Sequence, residues 1–440
     1  MAGEFYISGI SNTGFDYMGY LEKYKELKNI PIKLMEQQAE QIKLQKDALS
    51  AINNKLTALF PPALNLTLET TYETKSATVS NPDIASATVI NNKALNGTYS
   101  LTVSSLAESS KWRIDLTATV DDVNTALQGS GTLTINYYLN GSEKSLNIDY
   151  TGKSLSDIAN EINQSEDLEA TIINVGDVNN PDYKLIVKSV NTGTQNTITG
   201  VSDTGTTFNT TSSTEIVAAQ NASITLDGIT ITSQSNIFTG ILTGVDITVK
   251  QTGSATLTVS DDFSNIKDNI NAAIDGYNQL KETIRLATSQ GQPLQGEATL
   301  NTIATSVLGV ITNYLGKYGL INTLGDAEST KGLLELNEEA FNNFIQNNPD
   351  AKQILQDFGR ALETVVTSYT DNLSLRDQRY QEQYINLQRR IEDLTKRIDT
   401  QIESMRLRFA KLEMYLSEMQ ATQLRIQNFA KLIIGNNNEQ

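Results

Sequence analysis

Most familiar enzyme chemistry is closed to this chain, because histidine and cysteine are both absent from its 440 residues. That absence removes imidazole bases, thiolate nucleophiles, disulfides, haem ligation through histidine, and zinc sites built on either residue. Aspartates stand side by side at Asp121-Asp122 and Asp261-Asp262, where they could serve as an acid and base pair or as oxygen ligands for calcium. Neither pair belongs to a D-x-D-x-D-G loop followed by a glutamate, so both read as solvated turns. The glycines form neither GxGxxG nor GxxxxGK followed by Ser or Thr, so nucleotide binding has no support. Trp112, between Lys111 and Arg113 just after an expected strand, could face a ligand or partner; the plainer reading is a half-buried aromatic at a domain junction. A carboxylate-only glycosidase would need an aromatic-lined carboxylate pair, and none is evident. The expectation is a non-enzyme with no cofactor and no metal.

Charge and hydropathy narrow the partners. A net charge of −17 repels phosphates and anionic lipid, which argues against nucleic acid and membrane surfaces. No apolar run approaches the roughly 18 residues of a membrane span, and the start MAGEFYISGI has neither a basic nor an apolar signal region. A soluble chain is expected, with any export by a route other than Sec. The missing cysteines suit the cytoplasm and also a chain exported unfolded.

The elements that would have to position a site are mostly helices at the chain ends. Ile391, Ile398, Met405, Leu412, Met419 and Ile426 recur every seven residues, and Leu394, Ile402, Phe409 and Leu416 supply a second position that drifts from three to four residues on. Neither proline nor glycine interrupts Asp377 to Leu432, a stretch of roughly 80 Å as a helix. A matching series, Met35, Ile42, Leu49 and Leu56, with Ile52 and Leu59 three further on, lies within a helical pattern from Phe15 to Leu59. Pro61-Pro62 is expected to end it, and Pro31 leaves open one kinked helix or two, Asp16 to Asn29 and Pro31 to Phe60.

Between residues 65 and 260 the period changes to two. Ser, Thr, Asn and Gly replace apolar residues, and runs such as 98–103 and 183–188 read as strands with one buried face. Asn96-Gly97, Asn140-Gly141 and Asp227-Gly228 are hairpin signals. One helix, Leu155 to Asn163, breaks the pattern, with Ser154 as its N-cap. From Asp261 the helical period returns: Phe263 to Ile284, Leu300 to Ile311, Asn337 to Ile345, and Asp350 to about Tyr369, the last able to run into the terminal helix.

The fold class expected is multidomain α+β, with a discontinuous coiled-coil leg and helical bundle built from both chain ends and β-rich head domains inserted between them. The boundaries expected are 1–60 with 375–440 for the leg, 61–75 with 259–374 for the bundle, 76–105 with 216–258 for one head domain, and 106–215 for a second that carries the helix. The seams are either an ordinary bundle core or an intersubunit contact. Helix length favours some intersubunit burial, with Phe409, Met414 and Met419 expected on the surface left over.

Several stretches carry a family resemblance: ALNGTYSLTVSSLA from Ala94, AQNASITLDGITITSQSNIFTGILTGVDITV from Ala219, NIKDNINAAIDGYNQLKETI from Asn265, GLLELNEEAFNNFIQNNPDAKQIL from Gly332, TGTQNTI from Thr192, and QRRIEDLTKRIDTQIESMRLRFAKLEMYLSEMQ from Gln388. Together, spanning most of the chain in the family's order, they resemble the flagellar hook-associated protein 2 family of filament-capping proteins. The resemblance implies a secreted assembly factor at the distal filament tip that passes unfolded through the flagellar export channel. It implies homo-oligomerisation in a ring of about four to six subunits, five favoured, with flagellin, hook-filament junction proteins and an export chaperone as partners. The other readings are another axial flagellar protein, such as a flagellin or junction subunit, and an adhesin whose head binds mucin or glycans.

Overall fold

Asp16 opens the first helix by accepting the Gly19 amide at 2.9 Å, which satisfies one of the donors a helix start leaves unpaired. The computed structural model describes residues 16–324 and 332–435, with side chains as far as Lys431. Helix α1 (Tyr17–Thr57) is followed by α2 (Phe60–Thr67), β1 (Lys75–Val79), β2 (Ala85–Val89), β3 (Gly97–Ser105) and β4 (Lys111–Leu116). Next come β5 (Thr132–Leu139), β6 (Ser142–Asp149), α3 (Leu155–Asn163), β7 (Leu168–Asn174), β8 (Tyr183–Ser189), β9 (Ile198–Asp203) and β10 (Phe208–Val217). The β region ends with β11 (Ala222–Leu226), β12 (Ile229–Ser233), β13 (Ile237–Leu242), β14 (Val245–Val249) and β15 (Gly253–Asp261). Helices α4 (Ser264–Thr288) and α5 (Ala298–Tyr314), the pair β16 (Ile321–Leu324) and β17 (Leu333–Leu336), α6 (Glu338–Asn347) and α7 (Ala351–Gly435) complete the chain. Residues 72–265 form one compact unit, and the chain on either side forms another.

In the helical unit, two readings left open by the sequence are decided, at Pro31 and at the start of the terminal helix, and one expectation, the stop at Pro61-Pro62, is corrected. Pro31 lies inside α1 without dividing it; the carbonyl bond it cannot make is offset by packing of Leu21, Ile32 and Ala39, all buried. Pro61 and Pro62 do not end a helix but start α2, where the missing amide hydrogens would have had no partner anyway. The terminal helix begins at Ala351, absorbs the expected 350–369 helix and runs 85 residues, about 128 Å. Its one internal glycine before Gly435, Gly359, marks a close approach: a Cβ there would lie 2.6 Å from the Ala63 carbonyl. Gly276 on α4 plays the same part, its missing Cβ leaving room for Leu59. Around these crossings Leu49, Ile52, Leu56, Leu59, Ile270, Ile274, Ile284, Val307, Leu355, Phe358 and Leu362 make a dry core. The β16–β17 pair, not foreseen, is held to α4 by the Asn278 amide, which donates to the Leu334 carbonyl at 2.7 Å and accepts its amide at 2.9 Å.

The β unit has two cores. A five-stranded sheet in the order β1-β15-β3-β11-β12 and a three-stranded sheet β13-β14-β2 enclose Leu101, Val103, Ile224, Phe238, Ile247 and Leu257. A four-stranded sheet β10-β4-β8-β7 and a three-stranded sheet β6-β5-β9 enclose Ile114, Ile135, Tyr150, Leu185 and Val187 together with α3. Alternating burial runs through β11 and β14, as a period of two demands. Asn140 and Asp227 both take positive φ, at 50° and 47°, and turn the β5–β6 and β11–β12 hairpins. Asn96-Gly97 does not turn a hairpin: β3 pairs with β15 and β11, and the Asn96 side chain instead accepts from Lys75 and donates to Asp261. Helix α3 starts with a reciprocal cap, Asp157 donating its amide to Ser154 Oγ and accepting the Ser154 amide.

Tyr137 is buried in the second core and donates its hydroxyl to Asp167 Oδ2 at 2.8 Å. Burial first, and then the Asp167 carboxylate, push its phenol up to about 12. Below the ordinary value of 10.0 the phenol is neutral in both folded and unfolded chains. Between there and about 12 the unfolded chain alone loses the proton, so stability falls as pH rises through that window. Tyr137→Phe should cost about 1 kcal/mol at neutral pH and should make the alkaline loss shallower. Denaturant unfolding of the two proteins at about pH 8 and about pH 11 checks this; parallel alkaline losses would refute it.

Candidate functional site

The terminal helices pair antiparallel along the seam anticipated from the heptads. Tyr17 lies against Phe409 with ring centroids 4.7 Å apart, Tyr20 meets the same ring edge-on at 6.1 Å, and Lys25 reaches Asp399 at 3.1 Å. The ion pair is exposed and contributes little energy, but with the rings it sets which turn of one helix faces which turn of the other.

Cover over the seam is graded along α7. Leu49 and Leu56 on α1 are fully buried, and Ile398 on α7 is 3% exposed. Met35, Ile42, Ile391, Leu394, Ile402, Met405, Phe409 and Leu416 are half-buried. Leu412, Met419 and Ile426 are 45%, 55% and 63% exposed. The seam residues on α7 therefore do not share one environment: cover is greatest at Ile398, partial on either side of it, and lost toward the C-terminal end. Phe409, expected on the surface, is instead half-buried against two tyrosines of α1. Met414, Leu424 and Phe429 extend the exposed apolar series.

A second face went unread in the sequence. Leu27, Ile30, Leu34 and Leu44 on α1 are all exposed, away from the seam formed by Leu21, Ile32, Met35 and Ala39. Tyr20, Leu27 and Leu34 stand seven residues apart, a series that could have been found by testing for a second stripe at the same period.

The groups that might have supported chemistry have structural work. Asp122 accepts the Asn124 amide at 3.1 Å in an exposed turn. Asp261 is held by Lys75 and Asn96, which lower its pKa against a smaller opposing effect of burial, and Asp262 accepts the Ser264 amide at the start of α4. Trp112 sits within β4, not after it, half-buried against the second core. Its indole donates to the Ile198 carbonyl at 3.0 Å. No helix among the described residues is long and apolar enough to cross a membrane.

Two β lobes inserted in the chain between terminal helices that pair with each other, one of which leaves an apolar face exposed, define a structural class of protein. The sequence profile of the flagellar hook-associated protein 2 N-terminus matches residues 13–110, and that of its C-terminus matches residues 219–421. The B-type flagellar hook-associated protein 2 of Pseudomonas aeruginosa is 30% identical over 438 residues, covering 89% of this chain and 89% of that one. The flagellar hook-associated protein 2 of Aquifex aeolicus is 28% identical over 352 residues, covering 77% and 75%. The D1-D2-D3 domains of the flagellar cap protein FliD from Escherichia coli align with 74% of this chain and 99% of their own at 25% identity, with a TM-score of 0.49. The chain belongs to the flagellar hook-associated protein 2 family, the caps of the flagellar filament.

The gradient of cover separates two kinds of seam residue. Ile398→Ala should destabilise the dissociated chain by about 2–4 kcal/mol through a cavity, whereas Ile426→Ala should change it by less than about 0.5 kcal/mol. Urea unfolding at low protein concentration distinguishes them, and equal losses would show that both positions are core.

Proposed function

We propose that the chain is a subunit of the cap at the distal end of the bacterial flagellar filament, where it promotes folding and insertion of exported flagellin. The observation that carries the reading is the half-covered seam on α7 in a member of the cap family: it provides internal packing at one end and leaves apolar surface for neighbours at the other. The leg would comprise 1–60 and 375–440, the bundle 61–75 and 259–374, and the two head lobes 76–105 with 216–258 and 106–215. Copies of the chain would form a ring, and flagellin, hook-filament junction proteins and an export chaperone would be its other partners. The role is that of a scaffold and not of an enzyme, supported by carboxylates committed to caps, turns and ion pairs.

Soft residues suit a grip that must shift as subunits are added, and Met405, Met414 and Met419 provide them. A polar, acidic head limits adhesion to emerging chains. Family membership favours this reading over a flagellin or junction subunit. The engaged indole of Trp112 weighs against a stacking platform for glycans.

Cells lacking the chain should release monomeric flagellin into the medium without growing filaments; filaments of normal length in the deletion strain would overturn the reading. The seam's share in assembly is tested by mass measurement of the full-length protein beside a version ending at Ala410, which keeps the Tyr17–Phe409 contact. The shortened chain should form a weaker or smaller assembly. An unchanged oligomer would move the ring contact elsewhere.

A further inference from the structure

The two cores of the β unit share no buried side chain, and the chain crosses between them twice, outward through 106–110 and back through 218–221. The segment between the crossings, 111–217, falls within the stretch 111–218 that lies between the two family-profile matches. A lobe standing on two strands would be expected to swivel, unless something fixes its angle. The crossings bridge each other once, Glu108 and Gln220 exchanging amide-to-carbonyl bonds of 2.9 and 3.1 Å.

A short turn from the second lobe closes onto this neck. The Gly193 amide donates to the Glu108 carbonyl at 3.1 Å, and the Thr194 amide donates to Asn221 Oδ1 at 2.8 Å. The Gln195 amide donates to Gln234 Oε1 at 3.0 Å, and Thr192 Oγ1 donates to the Gln234 carbonyl at 2.6 Å. On its other side the turn is tied to its own lobe: buried Asn196 accepts the Asn140 amide at 2.9 Å and donates to the Thr192 carbonyl at 2.8 Å, and the Gln195 carbonyl accepts the Gly141 amide. From the first lobe the Asn236 amide grips Ala107, accepting its N–H at 2.7 Å and donating to its carbonyl at 3.1 Å.

Bonds of this kind are directional, so they hold an angle where apolar contacts would slide. Gly193 is the key that lets the turn seat. Its φ of 91° lies where side chains are strained, and a Cβ there would stand 2.3 Å from Gln234 Oε1 and 2.6 Å from the Gln234 carbonyl oxygen.

We propose that the 192–196 turn is a latch that fixes the second lobe on the first, so that the β unit moves as one body, and that opening it frees the lobe to swivel with both cores intact. The test uses the full-length chain, in which the lack of native cysteine allows clean paired labels at Thr171→Cys on β7 and Ile229→Cys on β12, both exposed. Electron-spin distance measurement, with labelled chain diluted in unlabelled chain, should give one narrow distribution. Gly193→Ala, and separately Gln234→Ala, should at least double its width. Hydrogen exchange should then rise at the Glu108 and Gln220 amides but not at core amides such as Val187. A broad distribution in the parent protein, an unchanged width in both variants, or core amides that lose protection together with the neck would each overturn the latch. If Gly193→Ala fails to fold, Gln234→Ala carries the test alone.

Discussion

The antiparallel register of α1 on α7 is the constraint on which the molecule depends. Tyr17 against Phe409 and Lys25 against Asp399 require residues nearly 400 positions apart to meet, so whatever lies between must return the chain to where it left. The β unit satisfies this topologically: its first and last strands are neighbours in one sheet, with Lys75 opposite Asp261 and Thr74 donating to the Asp262 carbonyl at 2.6 Å. Entry and exit therefore coincide, as an inserted unit needs. Within the helical unit the same economy appears where glycines at positions 276 and 359 let α4 and α7 close on the α1–α2 corner. A methyl group at either place would push against a side chain or a carbonyl that has nowhere to go.

Much of this was legible because period and turn chemistry are local. The heptads predicted two long helices that need each other, alternation predicted the β middle, and Asn140-Gly141 and Asp227-Gly228 turned where expected because both φ values are positive. Asn96-Gly97 has the same letters and a different fate: its asparagine is engaged by Lys75 and Asp261, partners far away in sequence. Pro31 left one helix or two open for a related reason, since packing of Ile32 and Ala39, which decides for one, is not local. The strands β16 and β17 are four residues each, too short for any alternation to stand out. The neck of the β unit leaves no periodic trace, because it rests on single side-chain amides and turn amides, and only the family-like run from Thr192 marks part of it.

The heptad period is legible in the sequence, and the unequal cover over its residues is not. The heptad named Ile398 and Ile426 as equivalents, yet one is 3% and the other 63% exposed. Equivalence fails because cover depends on where the partner helix is, and that follows from register, which sequence period does not fix. The acidic excess likewise has a structural distribution that composition hides. Asp203 alone accepts the Tyr150 hydroxyl and the Gly205 and Phe208 amides, a carboxylate spent on closing a loop against the second core.

Under the cap reading, the exposed end of the seam also bears on how a ring could hold and still move. Fully burying an exposed Leu, Met or Ile gains about 1.5–3 kcal/mol, and Leu412, Met419 and Ile426 are already about half covered, so burying the rest at a neighbour gains roughly 2–5 kcal/mol together. Bringing two chains into fixed contact costs an estimated 4–15 kcal/mol. One such contact falls short alone, and a pair of subunits joined through these three residues would come apart. Closure changes the balance, because each subunit in a ring touches two neighbours and the last contact forms at high effective concentration. Contacts that are individually too weak to persist can then slip one at a time while the ring as a whole remains seated. A fully buried seam would not permit this, since each step would expose a complete apolar stripe at once. On that reading the cover along α7 would combine a permanent core at Ile398 with exchangeable contacts beyond Leu412.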